Sequence, residues 1–164
     1  MAAKIRVLGI ALVLVGAFGA LVPFVGPLFG YTMGSTGAWV ITESRVTLHL
    51  IPGLVAILGG SIMVGGSSRA RLGAVLALLG GIWFTVGPEI RPAWAGSDGG
   101  GMMMMGGNVW STIASSLGYH DGTGVVIIVL AAYGLGAISA HSSSGVTSSR
   151  SDVGRSGERE PART

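Results

Sequence analysis

Cysteine is absent from the chain, and charged residues make up only 10% of its 164 positions. Without cysteine, the protein can form neither disulfides nor thiolate metal sites. The small charged fraction, together with 49% hydrophobic residues and a mean hydropathy of +0.68, is far from the composition of a water-soluble domain. We therefore expect an integral membrane protein.

Nucleic-acid binding is also disfavoured, although the net charge is +3 and the isoelectric point is near 10.0. A nucleic-acid interface needs a basic face on a folded domain. The basic residues of this chain instead lie in short segments between apolar runs. Membrane topology accounts for that distribution, so no nucleic-acid partner is predicted.

Charged residues are missing from the middle of each apolar segment. Hydropathy predicts four transmembrane helices, at 5–24, 48–64, 72–86 and 124–140, because a span needs about 20 apolar residues. The third segment is short, and extending it to Ile90 gives it enough length. Arg6 and, in the extended third segment, Glu89 lie within one residue of a segment end, and no other Asp, Glu, Lys or Arg lies inside these segments. An ion-coupled transporter is therefore disfavoured. A passive channel lined by backbone and hydroxyl groups stays open.

The distribution of Lys and Arg predicts the orientation in the membrane. Of the ten Lys and Arg residues, only Arg45 and Arg91 fall in the two predicted outer loops. Because positively charged segments are retained in the cytoplasm, both termini are predicted to be cytoplasmic in a protein of the cell membrane. Segment 1–140 is the predicted membrane domain. Segment 141–164, with almost no large apolar residue, is a predicted disordered cytoplasmic tail.

The chain contains an internal duplication, visible when it is shifted by 65 residues in its first part and by 71 residues farther along. The aligned pairs are Arg6 with Arg71, Gly16 with Gly81, Phe18 with Trp83, Pro23 with Pro88, Pro27 with Pro92, Phe29 with Trp94, Met33 with Met104, Trp39 with Trp110, His49 with His120 and Gly53 with Gly124. Both units cross the membrane in the same direction. The predicted fold class is therefore all-α, a four-helix transmembrane bundle of two tandem parallel helical hairpins, at about 5–66 and 70–140.

The first span also has the pattern of a signal peptide, with basic residues before a short apolar run. Its counterpart at 72–86 is internal and cannot be a signal peptide. The duplication therefore favours a retained first helix.

The end of the third span, GIWFTVGPEI at 81–90, resembles the helix end of the SPW repeat family of small bacterial membrane proteins. Gly81, Trp83 and Pro88 agree with the family pattern, whereas Gly87 replaces its serine and Glu89 its tryptophan. The resemblance covers about ten residues of each repeat and implies no activity.

The paired prolines predict where two helices stop. Pro23 and Pro88 lack an N–H and are expected to end their helices near the outer interface. Phe29 and Trp94 follow and are predicted to anchor the chain at headgroup depth.

Two histidines and a methionine run are the candidate site residues. His49 and His120 occupy equivalent positions, so pseudo-symmetry can bring them together as metal ligands, haem ligands or a pH-sensitive pair. The alternative is a pair of interfacial histidines hydrogen-bonded to loops. Four thioethers in the second outer loop, those of Met102, Met103, Met104 and Met105, suit Cu(I). Alternatively, they form an adaptable surface against lipid or a partner.

The chain contains no recognisable nucleophile with a base, phosphate loop or zinc signature, so no enzymatic activity is predicted. Small residues recur every four positions, as in Gly73-x3-Ala77-x3-Gly81, and permit helix contacts within the bundle or in a homo-oligomer. The predicted function is a non-catalytic scaffold or accessory subunit whose outer loops contact the bilayer or a membrane protein partner. No cofactor is predicted for this function. The alternatives are an outward-facing copper or haem binder, for which copper would be the cofactor, and a passive channel.

Overall fold

The computed structural model describes residues 2–31, 37–66, 69–95 and 117–156, and these residues contain helices and turns but no strand. The elements in chain order are α1 (Ala2–Val25), a 3-10 turn (Gly26–Phe29), α2 (Glu43–Arg45), a π-helical turn (Val46–Leu50), α3 (Ile51–Gly65), α4 (Ala70–Ile90), α5 (Pro92–Ala95), a second π-helical turn (Leu117–Asp121) and α6 (Gly122–Ser156).

Four helical segments of the described chain are long and apolar enough to cross a membrane, which confirms the predicted number of spans. They are Ala2–Phe29, Glu43–Gly65, Ala70–Ile90 and Leu117–Ala140. The third span runs to Ile90, as predicted from the short length of its apolar run. The second begins at Glu43, five residues before the predicted start at 48, because helical backbone continues beyond the apolar window into a polar first turn.

Both long helices that begin a hairpin continue past their first proline. Pro23 and Pro88 were predicted to end these helices, but α1 runs to Val25 and α4 runs to Ile90. That prediction was wrong because a proline near the end of a helix removes one backbone hydrogen bond and can be accommodated when the freed carbonyl finds another donor. In both cases the regular helix ends two residues after the proline.

The spanning helices form a closed bundle in which α1 packs on α3, α3 on α4, α4 on α6, and α6 returns to α1. Glycines bring neighbouring backbones into contact. A Cβ built on Gly16 would lie 3.0 Å from the carbonyl oxygen of Gly53, and one built on Gly53 would lie 2.8 Å from that of Gly16. A reciprocal contact joins Gly81 and Gly124, at 3.0 and 2.9 Å. Small residues therefore pack helices within the bundle.

The last helix is longer than its apolar part. The apolar span ends at Ala140, but the backbone of α6 is helical to Ser156. The sequence predicts disorder from 141, and the structure does not confirm it for 141–156. Extending an existing helix costs far less than nucleating one, and this segment has no proline to interrupt it. Residues 157–164 of the predicted tail lie outside the described residues.

Candidate functional site: a buried histidine pair

The structure places His49 and His120 side by side inside the bundle. Their ring centroids are 4.3 Å apart with an interplanar angle of 37°, and the residues are 5% and 8% exposed. Each histidine is the fourth residue of a π-helical turn. A π turn contains one more residue than an α turn over the same rise, and such turns are frequent at functional sites.

A proline leaves a backbone acceptor next to His49. In an α-helix, the N–H of residue 23 would donate to the carbonyl of Gly19, but Pro23 has no N–H. The backbone of Gly19 lies near the imidazole of His49. Nδ1 of His49 is buried and has no hydrogen-bond partner among the described residues.

Aromatic rings surround the pair. Phe84 meets His49 edge-on with centroids 6.2 Å apart, and Tyr119 does so at 5.8 Å. Gly19 makes room for Phe84, because a Cβ built on Gly19 would lie 2.6 Å from Cζ of that ring. The surroundings of the imidazoles are thus mainly apolar.

Two tyrosines join the histidine pair to the outer loop. The rings of Tyr31 and Tyr119 stack with centroids 5.0 Å apart, and the Tyr119 hydroxyl donates to the carbonyl of Tyr31 at 2.6 Å. Burial raises the pKa of Tyr31 above its ordinary value. The loop is therefore held against the residue that precedes His120.

Arg45 closes the same end of the bundle from α2. It is only 8% exposed, and its Nη1 donates to the carbonyls of Gly37 and Val40, both at 2.8 Å. Its guanidinium lies 5.7 Å from the centroid of the Phe24 ring. The sequence predicts Arg45 only as a charge of the first outer loop, and no sequence signal indicates its burial.

A second group of polar contacts lies on the exposed side of this end. Arg91 Nη2 and Glu43 Oε2 form an ion pair at 2.9 Å, and Trp94 Nε1 donates to Glu43 Oε1 at 3.2 Å. The indoles of Trp83 and Trp94 stack with centroids 6.2 Å apart. Trp94, predicted as an interfacial anchor, is therefore fixed by both an aromatic and an acidic neighbour.

Each π turn leaves a carbonyl that a side chain satisfies. After the first turn, the N–H of Ile51 donates to Val46 and Pro52 has no N–H to offer, so the Thr47 carbonyl accepts from Trp83 Nε1 at 2.8 Å. In the second turn the Thr123 hydroxyl donates to the Gly118 carbonyl at 2.8 Å. Both hydrogen bonds stabilise a π-helical turn that positions a histidine.

The other candidate ligands predicted from the sequence are the four methionines of the second outer loop. Met102, Met103, Met104 and Met105 lie outside the described residues. Within the described part of the chain, no group of three or more His, Cys, Asp or Glu residues could hold a metal ion. Haem ligation by both histidines would require movement, because axial nitrogens about 2 Å from an iron on opposite faces are about 4 Å apart, and their ring centres lie farther apart than the observed 4.3 Å.

Comparisons with protein-family models, with curated proteins and with solved structures found no match to this chain. The resemblance of 81–90 to the SPW repeat family therefore stays a prediction.

Proposed function

We propose that the protein is a non-catalytic membrane scaffold or accessory subunit built from two tandem parallel hairpins. The observation that carries this proposal is the filled interior of the bundle. Residues from all four spanning helices form its buried cluster, including Leu12, Met63, Phe84 and Ile127, each no more than 1% exposed. Such an interior suits a rigid structural unit.

The duplication is supported by backbone features that were not used to align the two halves. The two π turns, Val46–Leu50 and Leu117–Asp121, are related by the same shift of 71 residues that aligns the histidines. The reciprocal glycine contact between Gly16 and Gly53 corresponds to that between Gly81 and Gly124. Two hairpins with the same turn and the same backbone contact are what a tandem repeat predicts.

Equivalent positions of the two halves are complementary in size. In each of four buried pairs, one half supplies a large residue where the other supplies a small one: Leu12 with Ala77, Met63 with Gly134, Phe84 with Gly19 and Ile127 with Ala56. Two of these pairs are in direct contact, since Cβ atoms built on Gly19 and Gly134 would lie 2.6 and 2.9 Å from Phe84 and Met63. The halves have diverged to fill one interior.

This packing favours the scaffold over the passive channel. Conduction through one bundle would require these four large side chains to leave the interior. A close-packed interior does not rearrange so widely without loss of stability.

We further propose that the termini are cytoplasmic and that the histidine end of the bundle faces outward. The proposal is supported by the clustering of Lys and Arg at the opposite end. The outer end exposes what we call the outer rim, formed by Phe29, Trp39, Ile41 and Trp94, which are 82%, 64%, 78% and 47% exposed. An apolar rim beside the Glu43–Arg91 ion pair suits contact with the outer part of a membrane protein partner.

Site-specific photocrosslinking in native membranes tests this function. A photoreactive residue at Ile41 is expected to give a discrete protein adduct, whereas the same residue at Leu14, 65% exposed on a spanning helix, is expected to give lipid adducts. A partner recovered at both positions, or at neither, would contradict the proposed role of the outer rim.

A further inference from the structure

We propose that His49 and His120 form a pH-sensitive latch at the histidine end of the bundle, closed when both imidazoles are neutral and open when both are protonated. The two rings are in contact, with centroids 4.3 Å apart, and the residues are only 5% and 8% exposed. Each hairpin supplies one of them. The latch is a property of this chain alone and does not depend on the proposed partner of the outer rim.

The contacts of the closed pair suit neutral rings. In a protonated imidazole both nitrogens are donors, yet Nδ1 of each histidine is buried and has no hydrogen-bond partner among the described residues. Phe84 and Tyr119 pack edge-on against His49, so its surroundings are mainly aromatic. A charge buried without a partner is costly in such surroundings. The closed arrangement therefore favours the uncharged form of both rings.

The charged groups around the pair do not compensate two added protons. The titratable groups next to the pair are Arg45, Asp121, Tyr31 and Tyr119. Of the helices packed against it, α3 and the 122–140 part of α6 have no charged residue, and α1 and α4 have basic residues only within their first five, at the opposite end of the bundle; Glu89 of α4 is exposed. Arg45 and Asp121 offset each other, and the tyrosines are neutral at acidic pH. Both added charges therefore stay uncompensated.

Opening is coupled to protonation because an imidazole in water is half-protonated near about pH 6.5. With only the open form protonated, each pH unit below that value lowers the ratio of closed to open chains about tenfold for each histidine, and about 100-fold for the pair. A closed form favoured by about 1,000-fold at neutral pH then opens near about pH 5. The closed form is stable above this range and is lost as the pH falls through it.

Separation of the rings acts on the first outer loop through Tyr119. This residue precedes His120, stacks on Tyr31 with centroids 5.0 Å apart and donates to the Tyr31 carbonyl at 2.6 Å. Movement of His120 away from His49 carries Tyr119 with it and breaks this stack. Deeper in the bundle, the reciprocal glycine contacts and the filled interior hold the helices together. The opening is therefore confined to the histidine end.

The test is a pH titration of the detergent-purified full chain, labelled with 3-fluorotyrosine and followed by fluorine NMR. The chain has three tyrosines, and Tyr133, which is 62% exposed on α6, is the internal control. We expect the Tyr31 and Tyr119 signals to change together between about pH 6.5 and about pH 4, with a Hill coefficient of about 2. The Tyr133 signal should stay constant.

Histidine variants separate the latch from a general effect of acid. His49→Gln and His120→Gln each remove one titrating group and should lower the Hill coefficient to about 1, and the double variant should show no transition. The matched control His141→Ala removes the only other histidine and should titrate like the wild type.

Three results would overturn the latch. They are constant Tyr31 and Tyr119 signals in the wild type down to about pH 4, a wild-type Hill coefficient of about 1, and an unchanged transition in the double glutamine variant. The first two come from the wild type, so the test does not depend on the folding of any variant.

Discussion

The contact between the first two spanning helices predicts a large effect from one added methyl group. A Cβ at position 53 would lie 2.6 Å from the Cβ of Ala20, 2.9 Å from the Ala20 nitrogen and 2.8 Å from the Gly16 carbonyl oxygen. Ordinary contacts of this kind begin at 3.4 Å, so Gly53→Ala must separate the two helices locally by about 0.8 Å. Backbone atoms cannot rotate away as a side chain can.

We expect Gly53→Ala to lower the free energy of unfolding by about 3 kcal/mol, the upper part of the range for overpacked interiors. Gly136→Ala is the matched control, because it adds a methyl group to α6 where no atom lies within 4 Å. That change should be neutral or stabilising by up to about 1 kcal/mol through helix propensity. Reversible unfolding in mixed detergent micelles measures both. Equal effects at the two positions would refute the inferred backbone contact.

Two further predictions concern the outer end and the topology. Trp83→Phe removes the donor to the Thr47 backbone carbonyl and should lower the free energy of unfolding by about 0.5–1.5 kcal/mol. Trp94→Phe, whose indole bonds to a carboxylate side chain that water can also reach, should cost less. Unfolding curves that coincide would contradict the role of Trp83. Because the chain has no cysteine, a single introduced cysteine reports which side of the membrane it faces. Ile41→Cys should react with a membrane-impermeant maleimide on intact cells, whereas Arg69→Cys should react only after lysis. The reverse pattern would contradict the proposed orientation.

The number and extent of the spans could be predicted from the sequence because length and hydropathy are local properties. Four apolar runs predicted four spanning helices, and the short third run had to reach Ile90. The equivalence of His49 and His120 was also visible, since histidine is scarce in this chain. That the two rings meet at 4.3 Å depends on how the helices pack, which the sequence does not state.

The errors share a physical origin in hydrogen bonds made by distant residues. Pro23 lies inside α1, and the Gly19 carbonyl that it leaves without a helical donor lies near His49, 30 residues along the chain from Gly19. The π turns depend on donors such as Trp83, which is 36 residues from its acceptor. Arg45 is buried because loop carbonyls converge on it. Local rules for proline and charge cannot anticipate such partners.

The pairing of the two halves through their histidines is the central claim, and intramolecular crosslinking tests it most directly. In the H49C/H120C variant, a short bis-thiosulfonate reagent should join the two halves of the chain across a protease site inserted between α3 and α4. The single variants H49C and H120C control for crosslinks between molecules. We expect the two fragments of the cleaved double variant to stay covalently joined until the crosslink is reduced. Separation into two fragments in a chain that remains folded would contradict it.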